Sequence, residues 1–376
     1  MCQYIPAWNK LLPVYNKLKE DDRFEVYLLC VPNRIENKQL VSPENLDNDT
    51  YEYFKEKGYD AINTLIGKNE WLDLKGMGLD YIFYTRPYNS FMPEVYSSKS
   101  VSKYSKICVM MYGMILVENE WTTALNRDFF RHVYCYFAET ECSMKMNKKH
   151  YPITHMLGIQ KSIYHGMPAL EQFMKAKEEK TNVWDFSDNT FRVMWTPRWT
   201  TEPSLGGTNF FLYKEALLNF AKEHKDMDFL FRPHPLAFQN FMKTGEMTEN
   251  EVTAYKQQIS DLSNVCLDVE KEYVATMWNS SVLVSDLSGV VPEYFVTGKP
   301  IIYCRTNMIL QPTAHFNKLI EGCYSVSNEE ELFYWLEELQ RGNDPLYGKR
   351  QQIIEELFGE KLNSASDLIL NELTSR

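Results

Sequence analysis

Three things are missing from this sequence of 376 residues, and each removes a class of function. No apolar run reaches the length of about 18 residues that a membrane-spanning helix needs, and no secretory leader is recognisable. The expectation is a cytoplasmic protein, with peripheral attachment to a membrane left open. No block of Lys and Arg stands out against a net charge of −11, so broad contact with a nucleic-acid backbone is not expected. An acidic whole can still hold a local cationic pocket for a phosphorylated small molecule. The eight cysteines form no CxxC pair and no Cys/His cluster at zinc spacing, so no metal site and no cofactor are expected. Several lie in strand-like runs, such as Cys30 in VYLLC and Cys304 in IIYC, as buried free thiols of a reducing compartment do.

What is present is a globular composition, with 44% hydrophobic and 24% charged residues. The aromatic share of 14% is high. It suits stacking surfaces for sugars or bases, although large amphipathic core residues are its commoner cause. The length suggests two domains of about 150–200 residues.

Short apolar runs alternate with amphipathic stretches, the pattern of parallel sheets covered by helices. In the first half the strand candidates are 24–31, 81–84, 107–111, 134–138 and 162–164, with helices over 8–18 and 169–180. A doubly wound domain usually opens with a strand, yet here a helix comes almost at once; a first strand is missing or the start is late. The polar stretch 181–189 reads as a linker. Beyond it come strands at 191–195, 228–231, 281–284 and 301–304, helices at 210–223 and 291–296, and a stop at Gly298. Ser327-Asn328-Glu329-Glu330 reads as a capping box. The expected division is 1–181 for an acceptor-side Rossmann-like domain and 182–350 for a donor-nucleotide domain. The remainder, 351–376, is a helical segment suited to packing back on the first domain. Two open α/β sheets in series give a cleft at the carboxyl ends of their strands, where such sheets bind ligands.

The strongest local signal is Ser285-Asp286-Leu287-Ser288-Gly289, between an apolar strand and a helix. A small-residue turn at a helix start offers unpaired backbone N–H groups to an anion. Ser285 and Ser288 add hydroxyls, Gly289 lets a ligand approach closely, and Glu293 one turn later suits ribose hydroxyls. The bland alternative is a capped helix with a solvated acid. The second signal is Arg232-Pro233-His234-Pro235 at a strand end, where the prolines stop the strand and present Arg232 and His234 as phosphate ligands. A turn with a surface His is its alternative. Arg198, in Trp195-Thr196-Pro197-Arg198-Trp199-Thr200, is a third cation at a strand end. The Gly206-Gly207 pair beyond it suggests a mobile loop; no GK[ST] follows to make it a phosphate loop. In the first half Tyr112-Gly113 ends a strand, and Glu118 and Glu120 follow it as acceptor-side candidates.

These motifs resemble the CDP-glycerol glycerophosphotransferase family, the teichoic-acid and capsule primases and polymerases. RPHP followed by SDLSGVVPEYFVTGKPIIY carries the resemblance, and PAWNKLLPVYNKLKEDDRFEVYLLCVP, RPYNSFMP and YHGMPALEQF extend it over nearly the whole chain. It implies a GT-B fold of two Rossmann-like doubly wound domains facing a central cleft, without a metal. It further implies a CDP-glycerol or related nucleotide-diphosphate donor, a lipid-linked or glycan acceptor, and transfer of glycerophosphate to a hydroxyl. By position, Arg232 and His234 bind the donor pyrophosphate; Ser285, Asp286, Ser288 and Gly289 hold phosphate; Glu293 meets the ribose. Two departures stand out: many members have His-Gly where this chain has Tyr112-Gly113, and some have Pro-His-His at Pro197-Arg198-Trp199. A nucleotide-sugar glycosyltransferase and a non-catalytic nucleotide-binding subunit of an export assembly are the alternatives.

Overall fold

A computed structural model of the chain describes residues 1–33, 35–36, 39–40, 46–270 and 273–375. It falls into two compact units. The first comprises Met1–Ile115, Asn119–Gln172 and Glu360–Arg376, and the second comprises Leu116–Glu118 and Phe173–Gly359.

In the first unit, β1 (Leu28–Cys30) pairs in parallel with β2 (Ala61–Asn63). A separate parallel sheet holds β3 (Tyr81–Tyr84), β4 (Lys106–Met110), β5 (Val133–Phe137) and β6 (Lys161–Ile163), in the order β6-β5-β4-β3. Side chains alternate between two cores, as the period of a strand requires. Ile82, Tyr84, Ile107 and Val109 enter one; Leu28, Cys30, Cys108 and Met110 enter the other. Helix α1 (Trp8–Lys19) covers the second core with Trp8, Leu11, Val14 and Leu18, joined there by Ile369 and Leu373 of the C-terminal helix, Lys361–Thr374. That helix is tied down by Lys17–Asp367 at 2.8 Å and by the Ser366 N–H and hydroxyl, which donate to Glu171 at 3.0 and 2.9 Å.

The second unit has one six-stranded sheet: β7 (Phe191–Thr196), β8 (Met227–Phe231), β9 (Val265–Leu267), β10 (Val282–Ser285), β11 (Ile301–Cys304) and β12 (Tyr324–Val326). All neighbours are parallel and the order is β9-β8-β7-β10-β11-β12, the doubly wound 3-2-1-4-5-6 pattern. Aromatic residues build its core. Trp195 and Phe231 lie 4.7 Å apart between ring centroids, and Phe210, at the start of α2 (Phe210–Glu223), stacks on Phe241 at 5.1 Å. Much of the high aromatic content is therefore core packing.

Three local expectations shift. The polar stretch at 181–189 is docked onto the second unit, because its Trp184 is fully buried and its indole N–H donates to the Thr276 carbonyl at 3.1 Å. The cap of the helix Glu329–Gln340 is Asn328, which accepts from the Glu331 N–H, while Glu331 accepts from the Ser327 N–H. The cap is one residue later than the sequence suggests, because Asn caps as well as Ser, and no reciprocal box forms, since Glu331 reaches the amide before the cap. Gly206 and Gly207 take φ of +105° and +64° in a closely packed turn; a Cβ on Gly206 would lie 2.8 Å from both Arg198 Nε and Leu287 Cδ2. Packing, as well as backbone freedom, calls for glycine there.

Candidate functional site at the strand ends of the second unit

The winding of the six-stranded sheet reverses between β7 and β10, and in such sheets ligands bind at the carboxyl ends flanking that switch point. The three motifs of the second half converge on these ends. They are not equivalent there.

Ser285 and Asp286 are engaged within the protein. The Ser285 hydroxyl donates to the Thr196 carbonyl at 3.0 Å and accepts from the Thr196 hydroxyl at 2.9 Å, tying β10 to β7. Asp286 is buried and accepts from the Arg198 N–H at 2.9 and 3.1 Å, the Thr208 hydroxyl at 3.0 Å and the Asn209 N–H at 3.4 Å. Burial pushes its carboxyl up to about 6 despite these donors. A buried carboxylate beside a phosphate would repel it, so this pair builds the turn. The groups left facing outward are Ser288, half-buried, and Gly289, exposed, which opens α3 (Val290–Phe295). A Cβ built on Gly289 meets nothing within 4 Å, so the backbone there is open to a ligand.

Arg232 is held by Asp268 at 2.6 Å and by the Glu270 carbonyl at 2.6 Å. Its guanidinium lies over the ring of Tyr273, 5.1 Å from the centroid, and the Tyr273 hydroxyl donates to Glu293 at 2.7 Å. Tyr273 thus links the RPHP strand end to the acid of α3. Sequence reasoning missed it, since an isolated Tyr in KEYVAT belongs to no motif and only the fold brings it between the two.

His234 is exposed, and its Nδ1 accepts from the Leu236 N–H at 3.1 Å. In the neutral ring the proton therefore sits on Nε2, which is left to donate. Desolvation by the surrounding protein, followed by the Arg198 charge, lowers its pKa below the ordinary value. Arg198 donates from Nε to the Leu205 carbonyl and from Nη1 to the Leu287 carbonyl, both at 2.6 Å. Trp199 places its ring 6.2 Å from that of His234. The β7 and β8 ends thus carry a positive field and a directed N–H donor.

The first-half candidates fall differently. Tyr112 is exposed, lies edge-on to Tyr4 at 6.3 Å, and has its phenol pKa raised by burial first, which disfavours the phenolate a base would need. A Cβ on Gly113 meets nothing within 4 Å. Glu118 and Glu120 are exposed, and the Glu118 N–H donates to Gln311 at 2.8 Å within the second unit. Beside Glu171, which holds the C-terminal helix, the first unit buries Glu139, beyond β5, which no motif announced. It accepts from the Tyr136 hydroxyl at 2.5 Å, from the Ser143 hydroxyl, and from the Ile115 N–H at 3.4 Å; burial raises its pKa. Among the described residues, no group of three or more His, Cys, Asp or Glu is placed to hold a metal ion.

Known structures share this architecture at low sequence identity, which speaks to the fold alone. UDP-GlcNAc 2-epimerase from Neisseria meningitidis bound to UDP-GlcNAc aligns with a TM-score of 0.65 and 14% identity, over 99% of this chain and 97% of its own. A complex of MnaA from S. aureus with UDP aligns at 0.62 and 13%, over 99% and 94%. A structure of the wall teichoic acid polymerase TagF aligns at 0.47 and 13%, over 79% and 73%. The two Rossmann-like units make the chain a GT-B protein. No curated protein matches by sequence. Residues 111–358, which take in every second-unit motif described above, match the model of one family, and the chain therefore belongs to the CDP-glycerol:poly(glycerophosphate) glycerophosphotransferases.

Proposed function

We propose that this chain transfers a glycerophosphate, or related polyol-phosphate, unit from a CDP-activated donor to a hydroxyl of a lipid-linked or glycan acceptor in teichoic-acid or capsule synthesis. Family membership supports the reaction class. The observation that carries the site is the linked set Arg232–Tyr273–Glu293 with His234 beside it, at the switch point of a doubly wound sheet.

In the proposed reaction the acceptor hydroxyl oxygen attacks the β-phosphorus in line. A new P–O bond forms as the bond from β-phosphorus to the bridging oxygen breaks, and CMP leaves. The protein's contribution is positioning and charge stabilisation. His234 offers Nε2–H to the pyrophosphate, and the anion's approach raises its pKa, so positive charge builds where leaving-group charge grows. Arg198 adds to the field. Arg232 acts by holding Tyr273, and through it Glu293, ready for the ribose hydroxyls. The Ser288–Gly289 backbone takes a phosphate, with Ser285 and Asp286 shaping the turn. Glu118 and Glu120 are the acceptor-side base candidates, with Tyr112 and Gly113 lining that side.

A peripheral position at the inner face of a membrane suits a lipid-linked acceptor. Ile153, Met156, Leu157 and Ile159 are each more than half exposed, on and just beyond the helix Pro152–Met156. Exposed Lys148 and Lys149 precede them, basic residues in a chain of net charge −11, while Lys161, which follows, is paired with Glu372 at 3.1 Å. Apolar residues flanked by lysines favour an anionic lipid surface. Among the described residues no helix is long and apolar enough to cross a membrane.

The test is a panel of CDP-glycerol, CDP-ribitol, UDP-sugars and GDP-sugars, read by thermal shift and by nucleotide release, with His234→Ala alongside. Stabilisation and CMP release with a CDP-polyol, the release lost in His234→Ala, is the expected result. Turnover of a nucleotide sugar alone would make the chain a sugar transferase, and binding without turnover a non-catalytic subunit.

A further inference from the structure

The stretch Arg86-Pro87-Tyr88-Asn89-Ser90-Phe91-Met92-Pro93 belongs to the first unit and has no part in the donor site. It leaves the carboxyl end of β3, beside the end of β4 beyond which Tyr112 lies, since the two strands pair in parallel. Pro87 cannot donate to a ladder, so the strand stops and the chain turns. The turn is tied at two points. The Asn126 side-chain amide donates to the Pro87 carbonyl at 2.8 Å. The Asn89 side chain donates to Asp128 at 2.7 Å and accepts from the Ser98 N–H at 2.8 Å.

This turn holds the Arg86 guanidinium in place. It lies 4.7 Å from the ring centroid of Tyr4 and 4.4 Å from that of Phe91. Those rings are themselves packed, Tyr4 edge-on to Tyr112 at 6.3 Å and Phe91 against Tyr88 at 5.1 Å. Among the described residues the guanidinium has neither an acid nor a hydrogen-bond acceptor. Burial pulls its pKa down, and the phenols of Tyr112, Tyr4 and Tyr88 oppose that pull. By contrast Arg232 and Arg350 of the second unit are each paired with an Asp. A guanidinium taken half out of water without an acid is at a disadvantage until an anion arrives. Rings engage its face and leave its N–H edge, the part that a phosphate takes bidentately.

We propose that Arg86 binds a phosphate ester of the acceptor, with Tyr88 and Tyr112 lining the subsite. This rests on the reaction proposed above. One transfer of glycerophosphate to a hydroxyl makes a phosphodiester whose outer glycerol carries the next hydroxyl. An acceptor that has received one unit therefore presents an anion one glycerol away from the oxygen that attacks. The donor's phosphates already have His234, Arg198 and the Ser288–Gly289 backbone. Glu120, a candidate base, lies close enough for its charge to act on the phenols of Tyr88 and Tyr112. Arginine and acid thus border one patch, the first holding the phosphate and the second facing the hydroxyl beside it.

The experiment titrates the full chain, by phosphorus NMR, with glycerophosphoglycerol (one phosphodiester between two glycerols) and separately with CDP-glycerol. It compares the parent with Arg86→Gln, which removes the charge, and Arg86→Lys, which keeps the charge without the fork. Diester binding should weaken by about tenfold or more in Arg86→Gln and about threefold in Arg86→Lys, with CDP-glycerol affinity within about twofold of the parent in both. In CMP-release assays of Arg86→Gln, KM for a phosphate-bearing acceptor should rise about tenfold with kcat within about threefold, and an acceptor of equal length without the phosphate should show no change. Should Arg86→Gln fail to fold, Arg86→Lys carries the comparison. Equal diester affinity in parent and variants, or no diester binding by the parent, overturns the proposal. Loss of CDP-glycerol affinity instead gives Arg86 to the donor and overturns the acceptor assignment. Diester binding needs no turnover, so a parent that binds the diester through Arg86 yet releases no CMP would sink the transfer reaction and leave the anion subsite standing.

Discussion

The two units answer the same structural problem, a loop leaving the carboxyl end of a strand, with the same device, and they differ in what they leave outside it. Each buries one acid to hold the loop. In the second unit Asp286 draws in the Arg198 and Asn209 amides and the Thr208 hydroxyl; in the first, Glu139 draws in the Ile115 amide and the Tyr136 and Ser143 hydroxyls. Around Asp286 the fold still presents His234 Nε2, the Arg198 charge and the open Ser288–Gly289 backbone. Around Glu139 stand the phenols of Tyr136 and Tyr164, whose pKa values burial has raised. The lesson is that buried acids mark where loops are fixed, while function is read from the polar groups that remain outside.

The sharpest way to break this comparison is His234→Ala. Loss of one donor aimed at developing charge costs about 10²–10³ in turnover, so CMP release should fall by that factor while the thermal midpoint holds. A residual rate within about threefold of the parent would remove the second unit's claim to the chemistry.

Next comes the pH dependence of stability. Asp286 titrates at about 6 when folded, against an ordinary value near 4 when unfolded, so the folded state keeps its proton longer. Its contribution is complete below about pH 4 and is lost as pH rises through about 6, a fall of about 2–3 kcal/mol. Denaturant titrations of parent and Asp286→Asn across this window should differ by that step. Parallel curves would show that the loop is held otherwise.

A smaller effect attends Tyr273→Phe. Removing the hydroxyl that orients Glu293 should weaken the CDP-donor by about five- to tenfold, the equivalent of about 1 kcal/mol, as measured by calorimetry with turnover at saturation preserved. The smallest is Tyr112→Phe in the first unit, for which CMP release should stay within about threefold. A loss near that of His234→Ala would restore a chemical role to the first unit's strand end.

Much of this was legible in the sequence. Tyr81–Tyr84, Phe210–Glu223 and Ile301–Cys304 were readable residue for residue, since apolar runs of strand or helix period bounded by Gly, Pro and polar residues leave little choice. The RPHP and SDLSG turns were legible as ligand-facing strand ends. Which of their residues face outward was not. A Ser or Asp at such a turn reads the same whether it meets a phosphate or a neighbouring strand, and only the pairing of β10 with β7 assigns Ser285 to Thr196 and Asp286 to the Arg198 amide. Tyr273 and Glu139 were invisible for a related reason: each gains its role from partners far off in sequence.

The path leaves the first unit after Gln172 and returns at Glu360, so the helix that closes the first unit's second core is made after Phe173–Gly359. Chains emerge from the ribosome amino end first, and domains fold as they become complete. Every residue of Phe173–Gly359 is therefore available before Lys361–Thr374 exists. The unit written second is complete first, and the unit written first waits for Lys361–Thr374, with Trp8, Leu11 and Leu18 lacking until then their cover by Ile369 and Leu373.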